Sequence, residues 1–157
     1  MTITLRIWIY LLVYTCASLS NLHAQIPANA KHINADKGIG AGGYDLTVYI
    51  IKQKAVKGKS QYSVKHGGIT YYFSNAINQK LFEKNPEAYL PEYGGWCAYA
   101  MGNSGEKVEV DPETFKIING KLYLFYNFYF NNTLKSWNKD EPILKKKADT
   151  NWLTLNK

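Results

Sequence analysis

Two glycine-containing turns, each between short β-prone runs, constrain the fold of this chain more than any other feature of its sequence. Asn119-Gly120 separates residues 115–118 from residues 121–126, and both runs are rich in aromatic and aliphatic side chains. Asn-Gly in such a position is typical of a two-residue β-hairpin turn. Residues 61–73 have the same arrangement around Gly67-Gly68. The sequence therefore predicts two antiparallel hairpins.

Short helical segments are predicted between and after these hairpins. Ser74 or Asn75 can cap a helix whose apolar stripe consists of Ile77, Leu81 and Phe82, and Asn85-Pro86 ends that helix. Two more helices are predicted near the C-terminus, over residues 132–138 and 141–148, whereas residues 44–50 have the pattern of a strand. We expect a small single-domain α+β fold in which antiparallel β-hairpins pack against short helices.

The first 24 residues have the pattern of a signal peptide. Arg6 precedes an apolar run at residues 7–14, and small residues follow up to Ala24. The run is too short for a transmembrane helix, so no stable membrane span is expected after cleavage. Anchoring as a lipoprotein at Cys16 is disfavoured because Thr15 replaces the small residue that such signals carry before the cysteine. The chain is predicted to be exported, and so periplasmic or secreted in a bacterium.

The remaining chain is divided by composition into two parts. Residues 25–42 are polar and glycine-rich and are predicted to form a flexible leader, and residues 43–153 are predicted to form the domain. The whole chain has 19 Lys plus Arg against 12 Asp plus Glu, but its one arginine lies in the predicted signal. Because arginine supplies the bidentate contacts to guanine and phosphate, nucleic-acid recognition is not expected.

Cys97 is the only cysteine that remains after removal of residues 1–24, so no internal disulfide can form. If residues 96–101 are helical, Cys97 and Met101 share a face and offer thiolate and thioether ligands suited to a copper ion. His66 could supply a third ligand. A cysteine that is simply buried is the structural alternative, and an intermolecular disulfide is another. The leading prediction is an exported, non-catalytic binding protein that handles soft metal through Cys97.

A second hypothesis needs no metal. The chain has 13 Tyr, 6 Phe and 4 Trp, and rings with a polar tip suit a half-wet cavity. A pocket for a small amphipathic ligand or a protein partner is predicted from Tyr71, Tyr93, Trp96, Tyr99 and Tyr126. Catalysis by Cys97 is the weakest hypothesis, because His32 and His66 are the only imidazoles available as a base after export.

Residues 69–90 resemble the YHS domain family. Phe82, Pro86, Tyr89 and Leu90 stand at the places where members of that family carry Phe, Pro and Tyr-Leu after an aromatic strand and a helix. The resemblance extends over residues 43–153 and is to the exported single-domain bacterial branch of the family.

The resemblance implies a small α+β domain connected with metal handling. The two positions that hold thiolate ligands in metal-associated relatives carry Ser74 and Asn78 here, and neither is a soft ligand. The Tyr-His-Ser tripeptide that names the family does not occur in the sequence. The resemblance therefore implies the fold more strongly than it implies the chemistry.

Overall fold

A computed structural model describes residues 30–155. Its strands form three sheets among these residues. A four-stranded sheet has the order β1-β2-β4-β3 and consists of β1 (Ala35–Asp36), β2 (Ile39–Gly40), β3 (Lys59–His66) and β4 (Ile69–Phe73). The two smaller sheets are antiparallel pairs, β5 (Asp111–Ile118) with β6 (Lys121–Phe125) and β7 (Asn127–Phe128) with β8 (Asn131–Asn132). The β3–β4 and β5–β6 pairs are the two predicted hairpins, which are confirmed.

The first residues of the described chain belong to the fold, which corrects the prediction of a flexible leader up to residue 42. Ile39 in β2 pairs in parallel with Thr70 in β4. The backbone N–H of Asn34 donates to the carbonyl oxygen of Gly94 over 2.8 Å. Strands β1 and β2 are only two residues long, and β2 joins the sheet through β4, which is distant in sequence, so local composition does not reveal them. The predicted signal and residues 25–29 lie outside the described residues.

The described chain contains five short α-helices: α1 (Leu46–Lys52), α2 (Ala76–Lys84), α3 (Ala98–Asn103), α4 (Thr133–Trp137) and α5 (Glu141–Leu155). Helix α1 occupies residues predicted to be a strand, and that prediction is wrong. Asp45 caps the helix, because its carboxylate accepts a hydrogen bond from the backbone N–H of Thr47. Leu46, Val48 and Tyr49 are buried in this helix.

Helix α2 is capped as predicted. The side-chain oxygen of Asn75 accepts hydrogen bonds from the backbone N–H groups of Ile77 and Asn78. The helix ends at Lys84, just before Pro86. Phe82 is fully buried, but Ile77 is 72% exposed, so its predicted place in the buried stripe is wrong.

Strand β6 separates two hydrophobic cores. Leu122 and Leu124 pack into the first core with the four-stranded sheet, α1 and α2. Tyr123 and Phe125 pack into the second core with α3, α4 and α5. Because successive side chains of a strand point to opposite faces, a single strand that is buried on both faces from Leu122 to Phe125 can serve both cores. Among residues 30–155, no helix is both long and apolar enough to cross a membrane.

Candidate functional site

A cleft of about 470 Å³ opens where residues of the two cores meet. Ile69 and Tyr71 of β4 belong to the first core, and Tyr93 belongs to the second. Trp152 of α5 and Ile33 of the N-terminal segment complete the apolar lining. The volume lies within the roughly 300–1,000 Å³ of small-molecule sites.

A tight turn at residues 93–95 shapes one wall of the cleft. Tyr93, Gly94 and Gly95 all have positive φ, at 54°, 62° and 83°. A Cβ atom on Gly94 would lie 2.8 Å from Cη2 of Trp152 and 2.9 Å from the carbonyl oxygen of His32. Glycine is therefore required here both for the backbone conformation and for the close approach of the tryptophan ring.

Two aromatic side chains form the same wall. The ring centroids of Tyr93 and Trp152 lie 6.4 Å apart in an edge-to-face arrangement. The Tyr93 hydroxyl donates to Oδ1 of Asp149 over 2.8 Å, and Asp149 also pairs with Lys145 in the same helix. Burial raises the pKa of Tyr93, and the hydrogen bond to Asp149 raises it further.

Tyr71 also lines the cleft and is almost completely buried. Burial raises the pKa of Tyr71 to about 12. Its ring packs against Phe82 of the first core, with centroids 5.4 Å apart. Both tyrosines are therefore neutral at physiological pH, and they offer the cleft ring surface rather than charge.

The polar part of the lining is acidic although the chain is basic. Glu87 lies 3.3 Å from Nε2 of His66, and Glu92 pairs with Lys121 over 2.9 Å. His66, Glu87 and Glu92 line the cleft, and no lysine is among the described residues that do so. The whole chain has a formal net charge of +7, so the cleft differs in sign from the average surface.

The structure brings together three of the residues singled out in the sequence, namely Tyr71, Tyr93 and His66. The other three members of the predicted aromatic pocket lie elsewhere. The indole N–H of Trp96 donates to the carbonyl oxygen of His32, Tyr99 packs against the second core, and the ring of Tyr126 contacts that of Phe128.

Cys97 lies directly before α3 and is fully buried. Its sulfur accepts a hydrogen bond from the backbone N–H of Tyr126 over 3.3 Å and lies 3.4 Å from the hydroxyl oxygen of Thr133. Met101 follows one turn later, also fully buried. The sulfur of Cys97 therefore already has polar partners inside the protein.

The structure places the third predicted metal ligand in a different environment. The ring of His66 packs edge-on against Phe82 in the first core, whereas Met101 belongs to the second. In the part of the chain that is described, no group of three or more His, Cys, Asp or Glu side chains is placed to hold a metal ion.

Ser74 and Asn78, which the family resemblance aligns with two thiolate positions, take part in a buried hydrogen-bond network. The backbone N–H of Ser74 and the side-chain amide of Asn78 donate to Oδ2 of Asp45, over 2.7 Å and 2.8 Å. Oδ1 of Asp45 accepts from the backbone and the hydroxyl of Thr47. Burial alone would raise the pKa of Asp45, but these hydrogen bonds outweigh it and the pKa is lowered.

Sequence reasoning missed several residues of the cleft. Trp152, whose ring packs against that of Tyr93, is one of them. Glu87, Glu92 and Ile33 carry no local signal of a site, because their place in the cleft depends on contacts between distant parts of the chain.

Comparison of the chain with family models, with curated proteins and with solved structures gave no significant match. The resemblance to the YHS domain family therefore stays a prediction from the sequence.

Proposed function

We propose that the protein is a non-catalytic binding module that holds a small amphipathic ligand in the cleft between its two cores. The ligand has an apolar, ring-sized body and a polar end that is cationic or donates hydrogen bonds. The observation that carries this proposal is the combination of the aromatic walls, Tyr71, Tyr93 and Trp152, with the carboxylates Glu87 and Glu92 in one cavity of about 470 Å³.

The chemistry of the lining supports this class of ligand. An apolar body would contact the ring surfaces and the aliphatic side chains of Ile33 and Ile69. A cationic end is attracted both to carboxylates and to the faces of aromatic rings. Glu87 lines the cleft with a side chain that is 77% exposed, so a ligand can reach its carboxylate.

Binding is favoured over catalysis by Cys97 because its thiol is buried. Cys97 is the only free cysteine of residues 30–155, and it is fully buried beside the N–H of Tyr126 and the hydroxyl of Thr133. A catalytic cysteine needs a base within hydrogen-bond reach and access to substrate. Soft-metal handling through Cys97, and export of the chain, stay predictions from the sequence.

The proposal is tested with three probes that share a phenyl ring and differ in one end: phenethylamine, 2-phenylethanol and 3-phenylpropanoate. Binding to the purified full-length chain is measured by calorimetry and by the shift in melting temperature. We expect the affinity to fall in that order, with the carboxylate binding at least about tenfold more weakly than the amine. Equal affinity for all three, or binding of none, would contradict the proposal.

A pair of tryptophan substitutions distinguishes binding of the ligand in the cleft from binding elsewhere on the surface. Ile33→Trp adds a ring at the lining of the cleft, and Ile77→Trp adds the same ring on the exposed face of α2. Ile33→Trp should weaken binding of phenethylamine at least about tenfold, because the added ring occupies the cavity. If the two variants bind equally well, the ligand does not occupy this cleft.

A further inference from the structure

The β7–β8 hairpin displays a cluster of exposed aromatic rings, here called the aromatic tip and defined as Phe128, Tyr129 and Phe130. Tyr129 is 91% exposed, Phe130 is fully exposed and Phe128 is 42% exposed. Rings of this size bury about 150–250 Å² each when they are covered. Three neighbouring rings left in water are therefore a costly surface unless something covers them.

The backbone of the aromatic tip adds a second, independent observation. Tyr129 and Phe130 form the two-residue turn between β7 and β8, and both have positive φ, at 52° and 65°. Such turns favour Asn and Gly, because a bulky side chain is strained at positive φ. Strained backbone of this kind concentrates at functional sites. The rings are thus held outwards at an energetic cost to the fold.

The hairpin that carries the aromatic tip is fixed at its root. The backbone N–H and the hydroxyl of Thr133 both donate to the carbonyl oxygen of Tyr126, over 3.0 Å and 2.9 Å. The side-chain amide of Asn127 donates to the hydroxyl of Thr114 over 2.9 Å. The N–H of Tyr126 donates to the sulfur of Cys97. Hydrogen bonds with Thr114 of β5, with Cys97 and with Thr133 at the start of α4 therefore hold the hairpin at its root.

The first charged residues after the aromatic tip are basic. Lys135 and Lys139 are both exposed, and Asp140 and Glu141 follow them, of which Glu141 pairs with Lys116. Asp111 approaches only the root of the hairpin, where its carboxylate accepts from Asn127 and Thr114. With a net charge of +7, the chain as a whole is attracted to a negatively charged partner.

We propose that the aromatic tip inserts into the interfacial region of a bilayer that contains anionic phospholipid. At these exposures the three rings supply roughly 350–600 Å² on one side, which is below the roughly 800 Å² that each partner of a standard protein–protein interface buries. A bilayer surface needs no such area, because amphipathic rings at headgroup depth combine with lysines that attract anionic lipid. The three asparagines of the hairpin suit the polar headgroup layer.

The experiment compares variants of the full-length chain by sedimentation with lipid vesicles. Tyr129→Asn with Phe130→Gly removes both rings and installs the residues that this turn prefers, so the hairpin is retained. The matched control, Ile77→Ser with Leu153→Ser, removes two exposed apolar side chains from helices α2 and α5. All variants keep the same residues 1–29, so a difference in binding between variants arises from the substituted side chains.

Vesicles of phosphatidylcholine are compared with an equimolar mixture of phosphatidylcholine and phosphatidylglycerol. We expect the parent chain to bind the anionic vesicles more tightly, less so at high ionic strength, and the tip variant to bind them at least about tenfold more weakly. The control variant should match the parent chain. The proposal is overturned if the tip variant binds like the parent, if both variants weaken equally, or if the parent shows no preference for anionic vesicles. It is also overturned if the tip substitutions abolish self-association in sedimentation velocity and leave vesicle binding unchanged.

Discussion

The sulfur of Cys97 accepts a hydrogen bond from the backbone N–H of Tyr126 across 3.3 Å of the protein interior. The same sulfur lies 3.4 Å from the hydroxyl oxygen of Thr133. Tyr126 and Thr133 are the residues that flank the β7–β8 hairpin at its root. The buried thiol therefore joins the start of α3 to the hairpin that carries the aromatic tip, which is a structural role.

This role predicts an energetic coupling between Cys97 and Thr133. Cys97→Ala should lower the free energy of unfolding by about 1–3 kcal/mol, because it leaves a cavity and an unpaired N–H on Tyr126. Thr133→Val should cost about 1–2 kcal/mol, because its hydroxyl also donates to the carbonyl oxygen of Tyr126. In a double-mutant cycle measured by denaturant unfolding, the double variant should cost less than the sum of the two. Strict additivity would show that the sulfur and the hydroxyl do not interact.

Burial of the sulfur also predicts slow thiol chemistry. In a chain with Cys16→Ser, a thiol reagent should label Cys97 rapidly in denaturant and far more slowly in native buffer. Rapid native labelling would show that the sulfur is reachable.

Copper retention by Cys97→Ser tests the soft-metal prediction directly, because a thiolate ligand cannot be replaced by a hydroxyl. Unchanged retention would exclude Cys97 as a ligand.

The parts of the fold that were predictable are those decided by neighbouring residues. Asn119-Gly120 and Gly67-Gly68 specify their hairpins within a few residues, and the structure has both. Residues 44–50 show how such local signals fail, because an apolar run of this length suits either a strand or a helix. The choice is decided by the Asp45 cap and by burial against distant elements.

The cleft was predictable only in part for a similar reason. Tyr71 and Tyr93 are predicted pocket residues because their rings carry a polar tip, and both line the cleft. Trp96, Tyr99 and Tyr126 carry the same signal, but their side chains contact His32, the second core and Phe128 instead. Trp152 enters the cleft from the last helix, where it contacts Tyr93. Such a contact between distant segments has no local signature.

Gly94 and Gly67 provide a matched pair for testing the wall of the cleft. Both have positive φ, at 62° and 57°, but a Cβ on Gly94 would meet Trp152 and the backbone of His32, whereas nothing lies within 4 Å of one on Gly67. Gly67→Ala should cost about 1–2 kcal/mol for its backbone conformation alone. Gly94→Ala should cost at least about 1 kcal/mol more, because of overpacking. Denaturant unfolding measures both, and equal costs would mean that Trp152 yields without penalty.

Asp45 predicts a loss of stability at acidic pH. Its pKa is lowered in the folded chain from the ordinary 3.8, so the carboxylate stabilises the fold fully above that value and stops doing so as the pH falls through the lowered pKa. Asp45→Asn should cost about 1.5–3 kcal/mol at neutral pH, because the new amide places donors against the donors of Ser74 and Asn78. The difference from the parent chain should shrink as the pH falls below about 3.8. Asp36→Asn, at an exposed position, serves as the control and should change stability by less than about 0.5 kcal/mol. A difference that is constant with pH would show that Asp45 titrates equally in the folded and unfolded chain.

The two hairpin turns of the second half of the chain predict opposite effects of reciprocal substitutions. Asn119-Gly120 and Tyr129-Phe130 occupy equivalent two-residue turns, with φ of 51° and 76° in the first and 52° and 65° in the second. Tyr129→Asn with Phe130→Gly should raise the free energy of unfolding by about 0.5–1.5 kcal/mol. The relief of strain at positive φ outweighs the extra chain entropy that glycine gives to the unfolded state. Asn119→Tyr with Gly120→Phe should lower it by about 1–3 kcal/mol, although a Cβ on Gly120 would meet open space. Thermal and denaturant unfolding give both values. If the aromatic pair proved as stable as Asn-Gly in both turns, the backbone at Tyr129 and Phe130 would not be strained. The conformation of this turn would then give no support to a functional role for the aromatic tip.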